Sequence, residues 1–147
     1  MLTLTLENCK DKVWEEVITV VPNKRMKDGK YYKTLVPIKV RLSTGDTICI
    51  HKDFYFDGSS RPKFLGFILD KVGPFMLAAL IHDWMYVKDY RRVELGLKKA
   101  QKLADDEMYV WSKVLYYDTP WARLDTDIRY YGVRAFGKRV YARLETD

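Results

Sequence analysis

The chain has 147 residues, of which 48% are hydrophobic and 31% charged, and it carries a formal net charge of +6. That length builds one substantial core and falls short of two ordinary domains, so a single domain is expected. It holds no run of roughly 18 apolar residues, the length a membrane span needs, because the longest such run is Phe75 to Ile81. The start, MLTLTLENCKDKVW, alternates apolar and polar residues without the basic-then-apolar order of an export signal, which points to a cytosolic start. In chain order, Leu2 to Glu7 and Val13 to Val21 alternate in the period of two that predicts strands. A polar stretch, Pro22 to Lys30, separates them from Tyr31 to Leu42 and Thr47 to His51, which flank a Ser43-Thr44-Gly45-Asp46 hairpin loop. This half reads as an antiparallel β meander.

After Phe56 the pattern changes. Asp57-Gly58-Ser59-Ser60-Arg61-Pro62 concentrates turn-forming residues, and either a strand-to-helix turn or a functional loop accounts for it. Phe64 to Leu69 predicts a short helix or apolar turn. Pro74 suits the first turn of a helix running to about Lys88, apolar on nearly all sides and therefore central. Arg91 to about Tyr116 predicts the longest helix, with Leu97, Ala100, Ala104, Met108, Trp111 and Leu115 on one stripe. Thr119 as N-cap and Pro120 at the first helical position begin a last helix to about Leu144, whose inward residues are expected to be Trp121, Leu124, Ile128, Tyr131 and Val140. The fold class is α+β: a β-rich half over 1–56, a loop and short helix over 57–73, and three packed helices over 74–147.

Cys9 and Cys49 are the only cysteines, and neither has a metal-ligand spacing; both are expected to be buried as small hydrophobes. With His51 and His82 as the only histidines, a structural zinc site or a polyhistidine metal centre is not supported. Basic residues are scattered from Lys10 to Arg143 among acids, and the densest cluster, around Lys98, Lys99 and Lys102, reads as the wet side of a helix, so no specific nucleic-acid binding is expected.

Chemistry concentrates on the central helix. At about 100° per residue, Phe75, Ala78, Ala79, His82 and Tyr86 share one face, with Asp83 about a quarter turn away. A His and an Asp in so apolar a helix need partners, because an isolated buried charge costs several kcal/mol. On the next helix Asp105 lies at the edge of the buried stripe while Asp106 points to water, so Asp105 is the candidate partner of His82. An imidazole donating one N–H to a carboxylate keeps its other nitrogen as an acceptor, as a general base requires. Asp83 is then free for an oxygen-rich cation site with help from Asp57, Gly58 and Ser60. A buried hydrogen-bond network that fixes helix register is the competing explanation. No nucleophile elbow or clustered cysteine supports covalent catalysis.

Two resemblances attach to these residues. Asp57-Gly58-Ser59-Ser60-Arg61-Pro62, then Ala78 to His82-Asp83 and Tyr86, then Ala104-Asp105, resembles an uncharacterised domain family of tailed bacteriophages and prophages with the pattern D-G-x-S-x-P, A-x-x-x-H-D-x-x-Y and A-D. That resemblance implies a phage-encoded protein and carries no activity. The H-D-x-x-Y and A-D elements are also similar to secreted and parvoviral phospholipases A2. This second resemblance implies His82 as general base, Asp83 as calcium ligand, Asp105 as the acid orienting the histidine, and Tyr86 as support. The chain departs from that pattern: only Asp57-Gly58 stands where a glycine-rich calcium loop is expected, and Met108 stands where an aromatic is.

The expectation is a phage structural or virion-associated accessory protein, present in the host cytoplasm during synthesis and then in the virion, and bound to other phage proteins or to itself. Its His/Asp cluster would serve the fold. The alternative is a calcium-dependent or other divalent-cation-dependent ester hydrolase in which His82 and Asp105 form the catalytic pair.

Overall fold

The computed structural model describes residues 2–9, 13–22, 30–56 and 75–146, with side chains of the last helix described to residue 135. The chain divides into two compact units, Met1–Gly58 and Ser59–Asp147. Strands fill the first and helices the second, so the fold is α+β. The expected turn and short helix between Asp57 and Gly73, including Asp57, Gly58 and Ser60, lie outside the described residues.

Among the described residues the first unit holds two three-stranded sheets. One runs β1 (Leu2–Leu4), β4 (Ile38–Arg41), β5 (Thr47–Ile50); the other runs β2 (Ile18–Pro22), β3 (Lys30–Thr34), β6 (Tyr55–Phe56). The pairs β2–β3, β3–β6 and β4–β5 are antiparallel, as expected, but not as one meander: β3 pairs past β4 and β5 with β6, and the N-terminal strand pairs in parallel with β4, Leu2 facing Ile38. The β4–β5 hairpin closes over the expected loop. Gly45 takes φ 94°, which a glycine adopts without strain, and the Leu42 N–H donates to the Asp46 carbonyl at 2.8 Å.

Three strand boundaries differ from expectation, each for a local reason. The first strand ends at Leu4, because Thr5 and Asn8 exchange side chain to backbone bonds at 2.8 and 3.2 Å that fold residues 6–9 into a turn. Val13–Val17 forms one helical turn, α1, ahead of β2; Val17 and Ile18 are both buried, which a one-sided strand does not allow. The stretch Tyr31 to Leu42 divides between the two sheets before Pro37, whose missing N–H cannot serve a ladder. Thr34 secures the break. Its hydroxyl donates to the His51 carbonyl at 2.8 Å and accepts from the Phe54 N–H at 2.9 Å.

Alternation decides the cysteines. In β5, Ile48 and Ile50 are buried and Cys49 between them is exposed, contrary to the expectation of burial, whereas Cys9 is buried in its turn.

The second unit is built on α2 (Phe75–Val87), which packs against α4 (Leu97–Leu115), which in turn packs against α5 (Pro120–Thr146). Every residue from Phe75 to His82 is buried, as the all-round apolar sequence predicts. The helix expected from Arg91 is two helices, α3 (Arg92–Leu95) and α4, separated by Gly96 at φ 84°, ψ 166°. That conformation is almost exclusive to glycine and ends one helix before the next begins. Thr119 caps α5 as expected, its hydroxyl accepting from the Ala122 N–H at 3.1 Å.

The inward face of α5 is a correction. Ala122, Asp125, Thr126, Arg129 and Val133 are buried, whereas Trp121, Leu124 and Tyr131 are 70%, 49% and 69% exposed. Polar residues face inward because they find partners there. Asp125 accepts from Arg129 at 2.7 Å, and the Arg129 guanidinium lies 3.9 Å from the centre of the Phe75 ring of α2.

Candidate functional site

The site is assembled from three helices. In α2, positions 82 and 86 lie one turn apart, so His82 and Tyr86 project from the same face, with ring centroids 4.2 Å apart. From α4, Asp105 meets both: its Oδ1 accepts from His82 Nε2 at 2.7 Å and from the Tyr86 hydroxyl at 2.5 Å. From α5, Arg134 Nη1 donates to Asp105 Oδ2 at 2.9 Å. Asp105 is wholly buried and His82 is 3% exposed. A carboxylate at that depth is tolerated because its oxygens receive three donors, two of them from groups able to carry charge.

Asp83 stands on the other side of the ring. Its Oδ1 lies 3.5 Å from His82 Nδ1, close enough for its carboxylate to favour the charged ring. Among the described residues His82 Nδ1 is a buried ring nitrogen with no hydrogen-bond partner. Burial alone pushes the His82 pKa down, but the Asp105 hydrogen bond and the two flanking carboxylates outweigh it and raise the value to about 9. His82 is therefore an imidazolium at neutral pH. With Arg134 it faces the carboxylate of Asp105. The Tyr86 phenol is pushed up by burial and by Asp105, and stays a neutral donor.

The structure thus brings together His82, Asp105 and Tyr86, with Asp83 beside them; it says nothing of Asp57, Gly58 and Ser60. Asp106 points away, as its position on the helix predicts, and pairs with Lys102 at 2.6 Å and with the Tyr130 hydroxyl at 2.7 Å. Among the described residues no group of three His, Cys, Asp or Glu is arranged to hold a metal ion. Calcium takes six to eight oxygens, of which Asp83 supplies at most two, so the described residues do not fit that ion.

Two groups escaped the sequence reading. Arg134 was hidden because α5 was expected to turn a different face inward. Glu107, 2% exposed, was hidden because the expected stripe on α4 is narrower than the real one, which also buries Gln101, Asp105 and Ser112. It accepts from Trp111 Nε1 at 2.9 Å, a bond whose only sequence signal is the spacing of four.

Fold and site define an α+β protein whose helical unit is tied together by a buried His-Asp-Tyr-Arg cluster. Residues 32–117, more than half of the chain, match the model of a family described as proteins of unknown function (DUF1353). The chain belongs to that family. The match contains His82, Asp83, Tyr86 and Asp105 and stops before Arg134. No curated protein and no solved structure matches the chain. Among the described residues no helix is long and apolar enough to cross a membrane.

Proposed function

We propose that this is a phage-encoded structural or virion-associated accessory protein in which the His82–Asp105 cluster holds the helices together. One observation carries the reading of the cluster: Asp105 of α4 receives His82 of α2 and Arg134 of α5 at a depth where Asp105 has no exposure and His82 has 3%. A general base must reach the water or substrate whose proton it takes, and a ring so enclosed serves architecture better than turnover. The phage assignment rests on the D-G-x-S-x-P, H-D-x-x-Y and A-D pattern. His82→Ala is expected to lower unfolding free energy by about 1 to 3 kcal/mol, because Asp105 loses a buried donor. Mass spectrometry of purified virions is expected to find the chain; its absence from them would reject the virion role.

A second reading is favoured by His82 Nδ1, which has no hydrogen-bond partner among the described residues and only the Asp83 carboxylate at 3.5 Å. Buried polar atoms are nearly always paired, and an exception asks for an explanation, of which a catalytic role is one. Asp105, itself fixed by Tyr86 and Arg134, holds Nε2, which is the arrangement a histidine base uses to aim its other nitrogen. On this reading the chain is an ester hydrolase, with Asp83 and the Asp57 to Ser60 stretch as its cation-binding side. Ester hydrolysis that climbs toward pH 9 as His82 loses its proton, together with calcium binding by wild type that is weakened in Asp83→Asn, would favour it. No calcium binding by either protein and no turnover of ester or phospholipid would remove it.

A further inference from the structure

The helix that covers Asp105 is held chiefly by polar contacts. Among the described side chains of α5, Ala122 and Val133 are the buried apolar ones and Ile128 is half-buried, whereas α2 buries every residue from Phe75 to His82. The larger apolar side chains Trp121, Leu124 and Tyr131 stand outward. The bonds that join α5 to α4 include Arg134 to Asp105 at 2.9 Å, Tyr130 to Asp106 at 2.7 Å, and Tyr109 of α4 to Asp127 at 2.8 Å. The side chains of Arg134 and Asp106 are 34% and 41% exposed, so water reaches the rim of this row.

We propose that α5 is a strap over the cluster, one that lifts as a unit from the α2–α4 pair while that pair stays folded, and so governs solvent access to Asp105. Burial of apolar area dominates the strength of a contact, while a hydrogen bond within the chain replaces one to water and contributes little net. Lifting α5 therefore costs a fraction of separating α2 from α4, which buries Ala100, Ala104, Met108 and Trp111. Tyr116 to Thr119 join α4 to α5 outside either helix and supply the hinge. The family match divides the chain at the same place. It ends at residue 117, with His82, Tyr86 and Asp105 inside it and all of α5 outside.

The two oxygens of one carboxylate mark the line of parting. With α5 in place Asp105 has no exposure, and its Oδ2 accepts from Arg134. When α5 lifts, Oδ2 exchanges that donor for water, while Oδ1 keeps His82 and Tyr86, which both belong to α2. The strap serves either reading of the cluster, since it concerns the cover and not the chemistry beneath it.

Native-state hydrogen exchange of the full chain in rising urea, below the global transition, tests it. Amides of α5 between Ala122 and Val133 are expected to exchange about a hundredfold faster than those of α2, relative to their intrinsic rates, and with a weaker urea dependence. Ile81→Val, at a position 1% exposed and about 100° round α2 from His82, is expected to speed α2 about three- to tenfold and to leave α5 unaltered. Arg134→Gln breaks a tie that lifting also breaks, and is expected to speed α5 about tenfold. In a Cys49→Ser background the thiol placed by Ser112→Cys, on α4 about 20° from Asp105, is expected to react with a soluble thiol reagent at the rate set by α5. The thiol placed by Ala78→Cys in α2 is expected to react about a hundredfold more slowly. Amides of α5 that share the rates and urea dependence of α2, or that follow α2 in Ile81→Val, overturn the proposal, because the helices would then open together. An α5 unmoved by Arg134→Gln, or a thiol at position 112 as slow as that at position 78, overturns it as well.

Discussion

His82 makes the stability of this protein depend on pH in a direction opposite to that of most carboxylates. Its pKa rises from an ordinary value of 6.5 to about 9 in the folded chain. Folding therefore takes up a proton between those two values. The stabilisation is fully present below pH 6.5, declines as pH rises, and is gone above 9. Urea unfolding of wild type is expected to show a midpoint that falls between pH 6.5 and 9, and His82→Gln is expected to flatten that slope. Asp105 shows what the cluster costs to break. Asp105→Asn removes the charge that His82 and Arg134 both face, leaving half-buried Arg134 without its acid and His82 with Asp83 alone, and a loss of about 3–5 kcal/mol is expected in the same measurement. The His82–Asp105 contact was legible in the sequence because each residue sits at a definable angle on a strongly periodic helix. Arg134 was not, since a contact between residues 29 apart on different helices depends on which way the last helix is rotated.

Helix rotation is the lesson at the scale of elements. On α5, aromatic and aliphatic residues at helical spacing predict the inward face, yet the interior takes Asp125, Thr126 and Arg129. Paired polar groups lose little on burial, and the small Ala122 lets α5 approach its neighbour. The join of α4 and α5 is also polar: Tyr109 donates to Asp127 at 2.8 Å and Tyr130 donates to Asp106 at 2.7 Å, so each helix gives one phenol and one acid. Both phenols are pushed upward, Tyr109 chiefly by its bond to Asp127, and Tyr130, chiefly by burial, to about 12. Caps and turns were more readable than faces. Thr119-Pro120 and the Gly45 hairpin announce themselves through chemistry local to a few residues, while the divided strand at Pro37 and the one-turn α1 are set by which sheet the chain joins. Gly96 is a local signal that the periodicity of α4 obscured. No atom lies within 4 Å of where a Cβ would stand, so Gly96→Ala meets only the backbone penalty of φ 84°. A loss of about 1–3 kcal/mol in chemical denaturation, with no change in the cluster, is expected.

At the scale of the whole molecule, the two units follow the change of sequence period, from two to between three and four, that the chain shows after Phe56. The family match crosses that change, running from Tyr32 in β3 to Tyr117 just past α4, so what the family shares includes strands and helices together. Within the helical unit protection should be uneven. Native-state hydrogen exchange is expected to find the slowest amides in α2, where Phe75 to His82 are all buried, and the fastest in α3, none of whose residues is buried; equal rates in the two would contradict this order.

That uninterrupted burial of α2 has a consequence during synthesis. The helix leaves the ribosome before α4 and α5 have been made, so for the seconds needed to translate the next few dozen residues, at about 5–20 residues per second, it has no neighbour from either to shield it. Its packing partner α4 arrives later, and a message cut short before Leu115 would yield a greasy, unescorted rod prone to clump or to be taken up by chaperones. Completion of α4 is therefore as much a condition for escaping aggregation as any single side chain.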